Sequence, residues 1–301
     1  MEDSKVNEVG SVINPDPIPT GMAVQVGSVV GRERLIVGDT YNRILGVSLM
    51  SPITRILATF GHDPGQVYQP RGIAVDLNTR NIFVVDSLNN RVQKFSPNFV
   101  FMKAWGSLGT GDGQFQSPVG ITIDSNGDVY VADRLNHRVQ KFDNNGVFIK
   151  AWGSHGTGDG KFSFPFDIAV ESDDDIIVSD SNNNRIQKFK SDSQFIRKWG
   201  RFGSSDGEFA DPRGITVDSN DDNYVIDAFN RVQKFDIDGN FIKAWGSQGT
   251  GDGQFMLPRY ITFNRLNGNL LVSDIINKNI QAFTTDGVFR GKVLFEIISE
   301  P

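Results

Sequence analysis

The chain has no cysteine, which excludes disulfide cross-links, thiol catalysis and cysteine-ligated zinc together. Histidine is almost as scarce, and His62, His137 and His155 fall in three separate loops. None of the three shows the short spacing of a histidine metal site, and no Ser/His/Asp nucleophile elbow accompanies them. Long apolar runs are missing as well. No stretch approaches the roughly 18 residues of a membrane helix, and the first twenty residues hold no signal-peptide core. These absences read as a soluble chain without an export signal, cytoplasmic if it is full-length. Positive charge is also in short supply: the net charge is −6 and the pI near 5.1. Binding to a phosphate backbone needs a concentrated basic surface, which this overall balance does not supply.

What the chain has in quantity is glycine, 32 residues, and phenylalanine, 23 residues. That pairing suits many tight turns between short buried strands. A repeat organises them. An Asp that ends a hydrophobic run and opens a polar turn stands at Asp39, Asp86, Asp133, Asp180, Asp227 and Asp274, each 47 residues after the last. Six such units take up nearly the whole length.

One unit is legible from Pro118 to Trp152. The runs Ile121–Asp124, Val129–Ala132, Arg138–Phe142 and Val147–Trp152 are separated by turn residues, with Asn126-Gly127 and Asn145-Gly146 as hairpin signals. Four short strands joined by tight turns make an antiparallel meander, and no window carries sustained helical periodicity. A single four-stranded sheet cannot bury both faces. Six of them packed radially around an axis can, so the expected fold is all-β, a six-bladed β-propeller. The expected organisation is an N-terminal arm over residues 1–14 and a propeller over 15–301. Residues 287–298 are expected to form the outer strand of blade six, with residues 5–13 as a competitor for that seat.

Trp-Asp and Gly-Gly dipeptides are absent, which disfavours WD40 and kelch blades. The pattern Pro-x-Gly-Ile-x-Val-Asp followed by Val-x-Asp-x-x-Asn-x-Arg-Val-Gln-Lys-Phe stands at Pro70–Phe95, Pro118–Phe142 and Pro212–Phe235. It resembles the NHL-repeat family, and the resemblance implies a six-bladed propeller. Related propellers bind RNA or protein in tripartite-motif ubiquitin ligases, sense ligands in bacterial receptor kinases, and form a zinc-dependent amidating lyase. The three histidines here do not reproduce that lyase's well-separated ligand pattern.

Repetition sorts the candidate residues. A catalytic group is needed once, whereas an Asp and an Arg recur together blade after blade: Asp86 with Arg91, Asp133 with Arg138, Asp180 with Arg185, and Asp227 with Arg231. They read as turn caps and as ion pairs between blades. Trp105, Trp152, Trp199 and Trp245 end the fourth strand of successive blades and read as inter-blade packing. The loops Gly109–Gly113, Gly156–Gly160 and Gly249–Gly253 lack the helix N-terminus of a phosphate cradle and read as crossovers between blades. Positions that vary between blades are free to specify a ligand. On the top face, where the second-to-third-strand turns meet the crossovers, these are Arg71, Val119, Arg134, His137, Phe166, Arg213, Phe229, Arg259 and Tyr260. Arginine mixed with aromatic residues is the composition of protein interfaces. The expectation is a monomeric, non-catalytic scaffold that recognises a protein or peptide through this face, without cofactor or metal. Single-stranded RNA is the alternative ligand, and a metal-dependent lyase or hydrolase the remaining one.

Overall fold

A computed structural model describes residues 19–25, 34–39, 41–48, 53–293 and 296–297. The proposed arm over residues 1–14 and the competing segment 5–13 lie outside them. The described residues form a six-bladed β-propeller, each blade an antiparallel sheet of four strands contiguous in sequence. Blade three is representative, with strands Pro118–Ile123, Val129–Asp133, Arg138–Phe142 and Phe148–Trp152 running from the axis outwards. Phe289–Val293 is the outer strand of blade six. The chain then sets Glu296–Ile297 parallel to Ile53–Ala58 on the outer edge of blade one, tying the last blade to the first.

The Asn-Gly turns differ from the two-residue hairpin that their sequence suggests. In blade three Asp124 N–H bonds Asp128 O and Gly127 N–H bonds Asp124 O, making a three-residue loop. Only Gly127 has positive φ, at 85°, and Asn126 does not. The Asp124 carboxylate decides this by accepting the N–H groups of Asn126 and Asp128. The result is a type I turn closed by a left-handed glycine.

Buried clusters lie between successive blades. Phe83, Val85 and Val92 of blade two pack with Ile121, Val129, Val131 and Phe142 of blade three, and Trp105 leans on them. Near the axis the inner strands approach so closely that glycine is required. A Cβ on Gly120 would stand 2.6 Å from Asp167 Cα and 2.9 Å from Phe166 O. Because backbone atoms cannot swing aside, Gly120→Ala is expected to lower stability by about 1–3 kcal/mol in urea unfolding. An unchanged midpoint would show that the inner strands can spread.

Candidate functional site at the top of the axis

Each Asp that opens the second turn is fully buried, and Asp86, Asp133, Asp180 and Asp274 gather donors from both the incoming crossover and their own turn. Asp133 Oδ1 accepts Gln116 N–H at 2.8 Å. Its Oδ2 accepts Asn136 Nδ2 at 2.8 Å, Arg138 Nε at 2.8 Å and Gln140 Nε2 at 3.0 Å. Arg138 then donates to the carbonyls of Thr110, Gly111 and Gln114 in the incoming crossover.

The same clamp recurs in three more blades. Arg91 donates from Nε to Asp86 Oδ2 at 2.7 Å and from its other end to the carbonyls of Asp63 and Gln66. Arg185, itself buried, donates to Asp180 Oδ2 at 2.7 Å and to the carbonyls of Thr157, Gly158 and Lys161. Arg231 does so to Asp227 at 3.0 Å and to Ser204, Ser205 and Glu208.

The sequence reading of ion pairs between blades is therefore corrected for Arg91, Arg138, Arg185 and Arg231. Each arginine pairs with the Asp of its own blade, because adjacent second and third strands set the two opposite each other in register. What spans the blades is the guanidinium's grip on the crossover.

Sequence reasoning quoted the following Gln without assigning it a role. Gln93, Gln140, Gln187, Gln233 and Gln281 are fully buried and grip the same crossovers in blades two to six. The Gln's recurrence in the third strand of blades two to six was the available signal. Burial pushes the Asp86, Asp133, Asp180 and Asp227 carboxyls upward, against the lowering pull of backbone and side-chain donors and of the arginines. In blade six Asn279 takes the arginine's place, and Asp274 accepts backbone N–H from Met256 and Leu257.

The tryptophans sit at the seams. Trp105 packs on Phe83 of its own blade and on Phe142 of the next, with ring centroids 6.1 and 5.9 Å apart. Trp152 and Trp245 bridge likewise to Phe189 and Phe283, and Trp199 to Phe235.

The non-repeating residues occupy a different place. Arg71, Val119, Phe166, Arg213 and Arg259 hold the middle position of successive Pro-x-Gly segments at the start of the inner strands. Val119, Phe166 and Tyr260 belong to one buried cluster although they come from blades three, four and six. The rings of Phe166 and Tyr260 lie 5.6 Å apart across the axis. Because non-adjacent blades meet only at the axis, these three side chains plug its upper end. Their burial corrects the expectation that they are exposed anchors: Val119 is 0%, Phe166 4% and Tyr260 4% exposed.

The arginines lie around this plug. Arg259 stacks on Phe166 at 5.2 Å, and Arg134 on Phe164 at 5.2 Å. Arg71 donates to Gln69 Oε1 at 3.2 Å. Arg213 is already neutralised by Asp211 at 2.9 Å. Burial lowers the pKa of Arg71 and Arg134, with the neighbouring Arg259 adding repulsion to both. Phe164 holds a left-handed φ of 53° directly before Pro165, where the chain normally prefers extended conformations. His137 Nδ1 accepts its N–H at 3.1 Å, as Asn42, Asn90 and Asn184 do for the matching residues of other crossovers.

That contact makes His137 a neutral acceptor, and burial followed by repulsion from His155 lowers its pKa. His137 and His155, which the sequence places in separate loops, have ring centroids only 4.6 Å apart. His62 stands in another loop against Asn89 and Tyr68. Phe229 is on the outer part of the same face, beside Arg231 at 5.7 Å.

Sequence reasoning overlooked Asp167. Blades two, three and five have Gly at the third position of Pro-x-Gly, whereas blade four has Asp167 and blade six Tyr260. Both replacements come with a serine on the facing strand: Ser179 Oγ accepts Asp167 N–H at 2.8 Å, and Ser273 Oγ accepts Tyr260 N–H at 3.1 Å. The broken Pro-x-Gly pattern was the signal. The Asp167 carboxylate lines an axial cavity of about 190 Å³ below the plug, walled by Ile73, Ile121, Ile168, Ile215 and Ile261. It accepts N–H groups from Ile168 and Ile215 at 3.0 and 3.2 Å, and burial pushes its pKa up to about 7.

Among the described residues one acidic group has oxygens close enough to share an ion, Glu171, Asp173 and Asp175 on the bottom face. The Lys188 ammonium already lies against Glu171 and Asp175 there.

Residues 67–95, 115–142 and 162–189 match the NHL repeat family. Three of the chain's six blades carry NHL repeats. Its 71-residue match to peptidyl-glycine alpha-amidating monooxygenase B of Xenopus laevis is 40% identical, covering 22% of this chain and 8% of that protein. The match therefore spans under a tenth of that relative's length. Among solved structures, virginiamycin B lyase from Staphylococcus aureus superposes with a TM-score of 0.63 at 16% identity, over 95% of this chain and 87% of that one. A gluconolactonase from Xanthomonas campestris gives 0.60 at 14% identity, over 96% and 89%. A chain of a nidogen/laminin complex gives 0.58 at 17% identity, over 76% and 80%.

These neighbours overturn the expectation of a chain that is not an enzyme. A lyase and a gluconolactonase share this fold, and the sequence relative is a monooxygenase. Repetition showed only that the clamp carboxylates are structural. It does not bear on the axial positions, which do not repeat. No described helix is long and apolar enough to cross a membrane.

Proposed function

We propose that this NHL-repeat propeller docks a protein or peptide on its top face, around the arginine-rich mouth of the axis. One observation carries the reading. The residue two positions after each turn-opening Asp is apolar in five blades of six, as Tyr41, Leu88, Leu135, Phe229 and Ile276. All five are between 37% and 55% exposed. A ring of apolar side chains presented by equivalent turns is a surface that a partner can cover, and the arginine cluster lies inside it. The crossovers add Leu108 at 66% and Phe202 at 73% exposure. The nidogen/laminin neighbour supports the reading at the level of fold.

The test is peptide-library selection against the wild-type chain, repeated with Leu88→Asp/Phe229→Asp. Both side chains are exposed, so the fold is expected to survive the change. Selected peptides should lose at least tenfold in affinity on the double variant. Equal affinity would move the docking site off the top face. Binding of mixed-sequence single-stranded RNA that falls steeply with salt would instead favour nucleic acid.

A further inference from the structure

We propose that Arg71, Arg134 and Arg259 form an oxyanion site at the axial mouth, and that it receives one carboxylate of a peptide partner. The proposal rests on the top-face reading for the identity of the partner, but the site itself follows from unmet chemistry at the mouth. Three guanidinium groups are held near one another and near Tyr260. Among the described residues no salt bridge joins any of the three to a carboxylate, in contrast to Arg213 with Asp211.

Two of their donors are also unused. Arg134 Nε and Arg259 Nε are buried and have no hydrogen-bond partner, whereas Arg71 is engaged by Gln69 and lies with Arg259 beside the Tyr260 hydroxyl. Buried polar atoms are satisfied in the great majority of cases, so two orphaned guanidinium donors at one place mark a missing acceptor. The aromatic rings of Phe164 and Phe166 hold two of the guanidinium planes, leaving their edges for a ligand. Planar guanidinium edges match a carboxylate or phosphate oxygen pair. The Asp167 carboxylate does not fill this role: it accepts the N–H groups of Ile168 and Ile215 below the plug, and among the described residues no hydrogen bond or salt bridge joins it to the three arginines.

Charge distribution selects the carboxylate. The crossovers carry exposed Asp63, Asp112, Asp159, Asp206 and Asp252 toward the outer rim of the face, where Asp159 and Asp252 pair with Lys198 and Lys292 of outer strands. A nucleic-acid strand would have to lay successive phosphates across that acidic rim. A single anionic group on an otherwise apolar segment meets the apolar ring outside and the arginines inside.

N-acetyl-glutamate, N-acetyl-glutaminamide, inorganic phosphate and a single-stranded RNA oligonucleotide are titrated separately, following arginine Nε–H signals by NMR. N-acetyl-glutamate should shift the Arg134 and Arg259 signals saturably, and N-acetyl-glutaminamide, which carries no carboxylate, should not. Arg259→Gln and Arg134→Gln should each weaken that binding at least fivefold, while Arg201→Gln, on the exposed rim, leaves it unchanged. Thermal unfolding of each variant shows that the fold is retained. Absence of a saturable shift, or equal shifts by acid and amide, overturns the site. Phosphate or the oligonucleotide binding more than tenfold tighter than N-acetyl-glutamate overturns the carboxylate assignment. Because these probes need no partner, anion binding without selected peptides would remove the docking reading and leave the site standing.

Discussion

Arg138→Ala is expected to destabilise the propeller by about 3–5 kcal/mol, the cost of stranding one charge of a buried pair. The partner left behind is Asp133, fully buried, with Asn136 and Gln140 as its remaining side-chain donors. The substitution also frees three crossover carbonyls, on Thr110, Gly111 and Gln114, that the guanidinium holds. Lysine has one ammonium in place of the planar fork, so Arg138→Lys should recover only part of the loss. The destabilisation should shrink in acid, because the Asp133 carboxyl, already pushed upward by burial, then carries a proton and leaves no stranded charge. Urea unfolding at pH 5 and pH 8 measures both effects. A loss below about 1 kcal/mol at pH 8 would mean that the clamp is a product of the fold and not one of its supports.

The second large effect is a pH dependence centred on Asp167. Its carboxyl titrates near 7 in the folded chain and near the ordinary carboxylate value once unfolded. Between those values the folded state keeps a proton that the unfolded state has released. Stability from this group is therefore complete in acid, falls as pH rises from about 4 to about 7, and is level above that. The full change is ~4 kcal/mol for a shift of this size. Glu171 is also pushed up to about 7 by burial, against the pull of Lys188, so the raw curve mixes groups. The difference between wild type and Asp167→Asn isolates the axial carboxyl. Asp167→Asn should gain on the wild type steadily from about pH 4 to about pH 7 and be the more stable of the two at the upper end. Parallel curves would show that the cavity admits enough water to solvate the charge.

These two sites were unequally visible in the sequence. The Asp133 and Arg138 pair recurs in five blades of six, as Asp86 and Arg91 or Asp180 and Arg185 do, and a recurring polar pair beside a turn has a structural role wherever it falls. Their partners were hidden, because nothing local shows that a guanidinium will reach carbonyls 24 to 28 positions earlier. Asp167 carried the opposite kind of signal, a single break in a repeated Pro-x-Gly. Its importance depends on which backbone lies across the axis. The same is true of Phe166 and Tyr260. As residue types they suggest exposed anchors, yet their positions at the narrow end of the inner strands bury them. His137 and His155 were set apart as belonging to different loops, and the packing of the outgoing crossover against the second-to-third-strand turn of blade three makes them neighbours.

The sequence by itself determined the all-β class, the six blades and the four-strand meander within a blade. Those depend on turn chemistry and alternation over a few residues, repeated at a constant interval. Tertiary structure alone decided which non-repeating residues share a site. Radial packing converts positions 47 residues apart into neighbours around one axis, and burial there sets which arginines lack a counter-charge and which carboxyl keeps its proton. Distances across the axis are fixed by how closely six inner strands can pack, a property of the assembled sheets that no single repeat contains.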